Sequence, residues 1–400
     1  MFPSDAPTHA SGPGAIVWPA GAACPGGAGA RLDAIRPGAA PAPPEAPAPV
    51  PSDPRPPLGV AAAPRGRIAV VGADPAHAGR VLALEGLAGG AFGALPGASR
   101  SAALPEAALS TAYLGDLALL APARDGLLLQ VQRWFGGPAG TPRRVIAETA
   151  GLADLTVAMD FRSDALAAWT ANGGVWARAM PASGRVLPAQ RLGPAGTGTR
   201  IAALLSDDNR AIVIWSTERE GAADVYFDQS ATGPRFAHAA RIEHDPGPPA
   251  PKGSPQLVRL SSESVMCAWT GASEGRWVVR TAPIDQHGLG SVSTIAAPNG
   301  GELFLSALAA GPSGEALALL GEPASSPAGA PPQARSALLA ARGIDAAPGR
   351  TLFAAPQLVA PPGPVSDGAV AVEPGTDRAF VAWRGAGGAI EYAMQTGARR

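Results

Sequence analysis

The phrase RAIVIW, which ends at Trp215, returns along the whole chain in altered form. Aligned on the last residue, the copies are RIAVVG (to Gly72), DLALLA (Ala121), DALAAW (Trp169), RAIVIW (Trp215), SVMCAW (Trp269), EALALL (Leu320) and RAFVAW (Trp383). The steps between them are 49, 48, 46, 54, 51 and 63 residues. A segment repeated at that spacing is one supersecondary unit, and a unit so short cannot bury its own apolar face. It must stack on the next copy, so the repeat restricts the chain to a stacked array. The longest step holds the Pro/Ala/Ser-rich stretch 322–335, which reads as a lengthened loop.

Every copy carries the same parts. An apolar run precedes the aligned one, as in TRIAALL (199–205) and PQLVRL (255–260), and an acidic tight turn joins the two: SDDN, SSES, PGTD. A third run follows a polar loop (GVWARAM, DVYFDQS, RWVVRTA), and a fourth follows that (RVLPAQRL, RFAHAARI, SVSTIA). Short apolar runs bounded by Gly, Asp, Asn and Pro are strands and hairpin turns, and helical periodicity is not sustained anywhere. Four-strand units at about 40–50 residues predict an all-β chain, a β-propeller of seven blades with four antiparallel strands each. Trp169, Trp215, Trp269 and Trp383 then fill the wedge between blades. Gly72, Ala121 and Leu320 in the same place predict looser packing there.

The first 57 residues differ from the rest. Residues 39–57, AAPAPPEAPAPVPSDPRPP, form an extended Pro/Ala linker, so the expected organisation is a tail over 1–57 and a propeller over 58–400. The seventh copy stops after its third run. Residues 30–38, ARLDAIRPG, resemble the fourth run RVLPAQRLG and are expected to supply the missing strand beside 389–395; GAIVWPA (14–20) is the alternative. No basic residue precedes Arg31, and the apolar stretch around Trp18 is short and broken by Pro19, so the layout of a secretory signal is not seen. No apolar run approaches the ~18 residues of a membrane span. The formal charge of −1 leaves no global field to recruit nucleic acid. Of 31 basic residues only Lys252 is a lysine, a bias that a GC-rich genome explains without any guanidinium chemistry. The two cysteines, Cys24 and Cys267, offer no metal-binding spacing, and Cys267 in SVMCAW reads as a buried small hydrophobe.

The cadence DALAAW…RVLPAQRLG, RAIVIW…RFAHAARIE and RAFVAW resembles the sialidase-like propeller repeats of bacterial proteins, over residues 58–400. That resemblance implies the same fold and points to a secreted or cell-envelope location. A sialidase also carries an Asp-box turn, an arginine triad, a tyrosine nucleophile with a glutamate partner, and an aspartate acid. The turns PASGRV, SATGPRF and IDQHGLG do not match the Asp-box, and Tyr113, Tyr226 and Tyr392 read as strand aromatics. Arg162 and Arg259, in or after first strands, would line the channel without making a triad.

The five histidines are scattered and show no HxH or HExxH spacing, so no metal and no cofactor is expected. Two readings survive. The favoured one is a non-catalytic binding or scaffold propeller, monomeric, holding a protein, peptide or glycan over one face. The other is a glycan-active hydrolase or lyase. Fold alone does not choose between them. The candidate ligand-binding residues lie on two sets of loops that share a face. Second-to-third strand loops carry Asp74, His77, Arg124, Asp125, Glu218, Arg219, Glu274 and Arg384, and a blade-to-blade loop carries His244 and Asp245. Asp160 and Arg162 are the most polar first-strand positions. For each of these charges, keeping a hairpin tip soluble is the competing role.

Overall fold

A computed structural model describes most of residues 108–323, together with strand backbones between residues 2 and 101 and between 336 and 395. Among the described residues every regular element is a β-strand, so no helix is long and apolar enough to cross a membrane. The strands fall into successive antiparallel sheets in chain order. One sheet orders Ala108–Thr111, Leu117–Ala123, Gly126–Gln132 and Arg143–Ile146 as a meander. The next is Ala153–Met159, Ala165–Ala171, Gly174–Met180 and Gln190–Pro194. The third is Thr197–Leu205, Ala211–Arg219, Ala222–Gln229 and Ala240–Asp245. A fourth begins with Gln256–Arg259, Val265–Ser273 and Arg276–Asp285. A fifth begins with Phe304–Ala310 and Glu315–Pro323. Sheets of the same kind span 59–101 and 366–395.

The fourth strand is where the sequence is read least well. In RVLPAQRL the strand starts at Gln190, and in RFAHAARI it starts at Ala240. In SVSTIA only Ser293–Ile295 is strand, and it shares its partner with Gly288–Leu289. Proline and polar residues break pairing there, and an outer strand is held by one neighbour only.

Second-to-third strand turns follow one rule. Asn172 and Gly173 have φ of 51° and 68°, Glu220 and Gly221 54° and 80°, Glu274 and Gly275 54° and 73°. Two consecutive left-handed residues make the tight turn whose twist matches the strands, and glycine takes its second position without steric cost. Among the described residues, first-to-second strand turns of three sheets close at the other end by one recurring bond. Asp160 N–H donates to Asp164 O, Ser206 N–H to Arg210 O, and Leu260 N–H to Ser264 O.

Sheets pack face to face. Leu120, Leu129 and Val145 of one sheet share a core with Val157, Met159 and Trp169 of the next. Val258, Met266 and Val279 do the same with Leu305, Leu308 and Leu320. Trp169, Trp215 and Trp269 are at most 1% exposed, as the wedge-filling role requires. Ala121 and Leu320, at the equivalent places, are buried as well, so smaller side chains there do not open the core. Polar side chains then bind neighbouring sheets about one repeat apart. Ser110 Oγ accepts from Met159 N–H at 3.1 Å, and Gln256 spans to Leu308 N–H (2.7 Å) and Ser306 O (3.3 Å). These are first strands, whose outer backbone groups have no further strand to pair with, so the side chains satisfy them. Consecutive four-strand meanders packed in this way are the blade arrangement of a β-propeller.

By contact density the chain divides into two compact units: 1–196 with 203–213 and 228–239, and 197–202 with 214–227 and 240–400. At the amino end, Ala30–Ala34 pairs with Ala15–Pro19, and Ile390–Gln395 pairs with Ala379–Arg384. The register thus gives Ala30–Ala34 a local partner where the sequence suggested a distant one. Closing a loop of a dozen residues costs far less chain entropy than closing one of hundreds.

Candidate functional site

Asp74, His77, Arg124 and Asp125 lie outside the described residues, and for Arg384 only the strand backbone is described. The remaining candidates separate into three places.

Asp160 and Arg162 lie just after a first strand rather than within it. They form the turn after Ala153–Met159, at the end of the sheet opposite Asn172 and Gly173. Asp160 is 1% exposed; its Oδ1 accepts from Arg162 N–H and Asp164 N–H, both at 2.9 Å, while its Oδ2 is buried with no hydrogen-bond partner. Burial, opposed by those two bonds and reinforced by the Asp164 charge, raises its pKa above the usual 3.8. Ser163 donates to Asp116 of the preceding sheet, and Asp164 accepts from Ala182 N–H at 2.6 Å. The turn is a structural clamp. Arg162 points outward, its guanidinium 5.0 Å from the Phe161 ring.

A group whose folded-state value is raised opposes folding once the unfolded chain ionises. Below about pH 4 Asp160 is protonated in both states, and the penalty is absent. As pH rises above that value the penalty grows, until the folded protein itself gives up the proton. Asp160→Asn is therefore expected to gain stability relative to the parent as pH is raised from about 4 to 7. Paired urea melts across that range measure it, and a pH-independent difference would sink the assignment.

Glu274 is an exposed turn residue with the positive φ that the turn requires, and Glu218 is half-buried. His244 and Asp245 are not in a loop; they close the strand Ala240–Asp245.

What the structure does assemble is a cluster on the outer strands of that sheet. Asp224 lies opposite His244, and Tyr226 opposite Arg241. Between these pairs the register slips, so that Ile242 is skipped. A bulge of this kind re-aims a side chain, here placing Arg241 where Ile242 would have faced Tyr226. Asp224 Oδ1 accepts from His244 Nδ1 at 2.7 Å, and Tyr226 OH donates to Asp224 Oδ2 at 3.2 Å. A carboxylate can only accept, so the His244 proton sits on Nδ1 and Nε2 is turned away from the pair. Arg241 Nη1 is 3.6 Å from the same carboxylate. Asp224 is buried (6% side-chain exposure), whereas His244 and Arg241 are half-exposed at 48% and 50%. The Tyr226 ring stacks on Trp215 with centroids 5.2 Å apart and planes 13° apart. Burial, then the charge and hydrogen bond of Asp224, push the phenol up from its usual 10.0.

Glu243, between the cluster residues in sequence, alternates to the opposite face. It accepts from Trp269 Nε1, from Ala272 N–H at 3.2 Å and from Arg280 Nε at 2.8 Å, so it binds its sheet to the next. The approach depends on Gly271, where a Cβ would overlap the Glu243 carboxylate. Cys267 is fully buried, and burial pushes its thiol up to about 12, which fits an inert core residue. Among the described residues, no three His, Cys, Asp or Glu side chains form a metal-holding group.

Sequence reasoning singled out His244 but missed Asp224, Tyr226 and Arg241. Tyr226 read as a strand aromatic, and a bulge leaves no mark in a pattern of period two.

No family model matches the chain, and no curated protein matches it. It is similar to several solved structures. With a puromycin hydrolase it shares 16% identity at a TM-score of 0.46, over 85% of this chain and 52% of that one, so it spans about half that protein's length. With the fucose-specific lectin of Aleuria aurantia the values are 12% and 0.38, over 76% and 94%. With the Dos1 propeller they are 10% and 0.42, over 83% and 90%.

Proposed function

We propose that this chain is a non-catalytic binding or scaffold propeller of sialidase-like cadence and seven blades, whose ligand is a protein, peptide or glycan. One observation carries the reading: the buried Asp224 carboxylate fixes the half-exposed His244 and the partly buried Tyr226 in one preorganised polar cluster, which suits the holding of a ligand. Tyr226 donates its proton to Asp224 and is held by burial and by that negative charge in its neutral form. The buried polar groups elsewhere support the same reading, because Glu243, Asp164, Ser163 and Gln256 are spent on bonds within and between sheets.

The test is a ligand panel of glycans and peptides run beside a general glycoside hydrolase and lyase screen. Saturable binding without turnover is the expected outcome, and sialosides are expected to remain intact. Turnover abolished by Tyr226→Phe or Tyr392→Phe would instead establish the glycan-active enzyme.

A further inference from the structure

We infer that Arg143, Arg178 and Arg185 form a docking site for a phosphorylated serine or threonine on an extended segment of a partner protein. The inference rests on the binding reading above and names one partner chemistry for it, at a place apart from the Asp224 cluster.

The site is a seam between two consecutive sheets of one compact unit, those containing Leu117–Ala123 and Ala165–Ala171. Arg178 lies on the third strand of the second sheet and is half-buried. It reaches across the seam, donating from Nη1 to Val145 O of the first sheet and from Nε to Leu187 O. Val145 belongs to the strand Arg143–Ile146, which opens with the exposed Arg143. The Arg143 guanidinium in turn lies beside Gly184, where a Cβ would stand 3.9 Å from Nη2. Gly184 closes a turn by donating its N–H to Pro181 O, at a φ of 79°. Arg185 follows directly and is exposed.

These arginines do not neutralise acids of the fold. Among the described residues the ion pairs are made by Arg210, Arg241, His244 and Arg280, and by none of these three. Arg178 is held by carbonyl oxygens, and burial, with no carboxylate to oppose it, lowers its pKa. One carboxylate touches the turn: Asp164, committed to Ala182 N–H at 2.6 Å. Counting Asp116, Asp160 and Arg162 of the adjacent clamp as well leaves the charge positive. A partly buried guanidinium without a counter-ion is a cost that a bound anion removes.

A phosphate monoester carries about −1.5 to −2 charge and three strong acceptor oxygens. Guanidinium forks grip such a group by paired hydrogen bonds, and a carboxylate offers them less charge and fewer oxygens. The bearer follows from the place. Arg143–Ile146 is the outermost strand of its sheet, so an extended peptide can run along its edge. A nucleic acid needs a long basic stripe to match its row of phosphates, whereas three arginines at one seam match a single group.

Fluorescence anisotropy tests the site with a degenerate peptide pool carrying one central phosphoserine, beside unphosphorylated and glutamate-substituted pools. The phosphorylated pool is expected to bind about tenfold or more tighter than either. Arg143→Gln/Arg185→Gln, at two exposed positions, is expected to lose that preference and keep its melting temperature, and each single variant to lose part of it. Arg178→Lys, which keeps the charge without the fork, is expected to weaken the preference too. Arg276→Gln, an exposed control bonded to Gly300 O, is expected to bind as the parent does. A phosphate preference unchanged in the double variant overturns the site, and equal binding of the three pools overturns the phosphate class. Silence of all three pools with glycan binding intact overturns the docking site; each of these outcomes leaves the binding reading standing. Tighter binding to vesicles containing a phosphoinositide than to the phosphopeptide pool overturns the peptide bearer. Absence of binding by every peptide pool and every glycan overturns both readings.

Discussion

Trp215→Ala is expected to lower the free energy of unfolding by about 3–5 kcal/mol, the cost seen when a large buried aromatic is truncated. The side chain is fully buried and stacks on Tyr226. Its removal leaves a cavity that surrounding strands, tied on both sides by backbone ladders, cannot close. Tyr226→Phe keeps the stacked ring and loses only the bond to Asp224, so its expected cost is about 1 kcal/mol. Urea denaturation of both variants measures the contrast. Equal small losses would mean that the repeated tryptophan is not what holds these strands together.

Glu243→Ala is the second large effect. Removing the carboxylate strips one partner each from Trp269 Nε1, Ala272 N–H and Arg280 Nε, and Glu243 itself is only 8% exposed. Breaking a buried pair by deleting one member costs about 3–5 kcal/mol, because the other charge is left without compensation. Arg280 is 26% exposed and still reaches Ala272 O, which places the expectation at the lower end, about 3 kcal/mol. Gly271→Ala should fail by the reciprocal route, since its new methyl group occupies the space of the carboxylate. Stability within about 0.5 kcal/mol of the parent in both variants would refute the latch, that margin being typical of an uninvolved surface site.

The all-β fold was legible because its signals are local. Among the described residues, the aligned runs end in buried apolar side chains, and the second-to-third strand turns carry the Asn-Gly or Glu-Gly pair that their backbone demands. The candidate site was legible only in part. Asp160 and Arg162 stood out for their charge, yet Asp160 is a clamp within a turn. His244 stood out for the same reason, and it does join a cluster, but through Asp224 and Tyr226, which looked ordinary.

The sequence by itself determined the repeat, the strand class, the burial of Trp169, Trp215 and Trp269, and the inert character of Cys267. All of these follow from periodicity and side-chain type over a few residues. Only the tertiary structure decided the register of the outer strands, the slip past Ile242 that sets Arg241 opposite Tyr226, and the reach of Glu243 into the next sheet. Those depend on how two segments twenty to forty residues apart settle against one another. A one-residue change in that settlement exchanges the two faces of a strand while leaving the local pattern almost untouched.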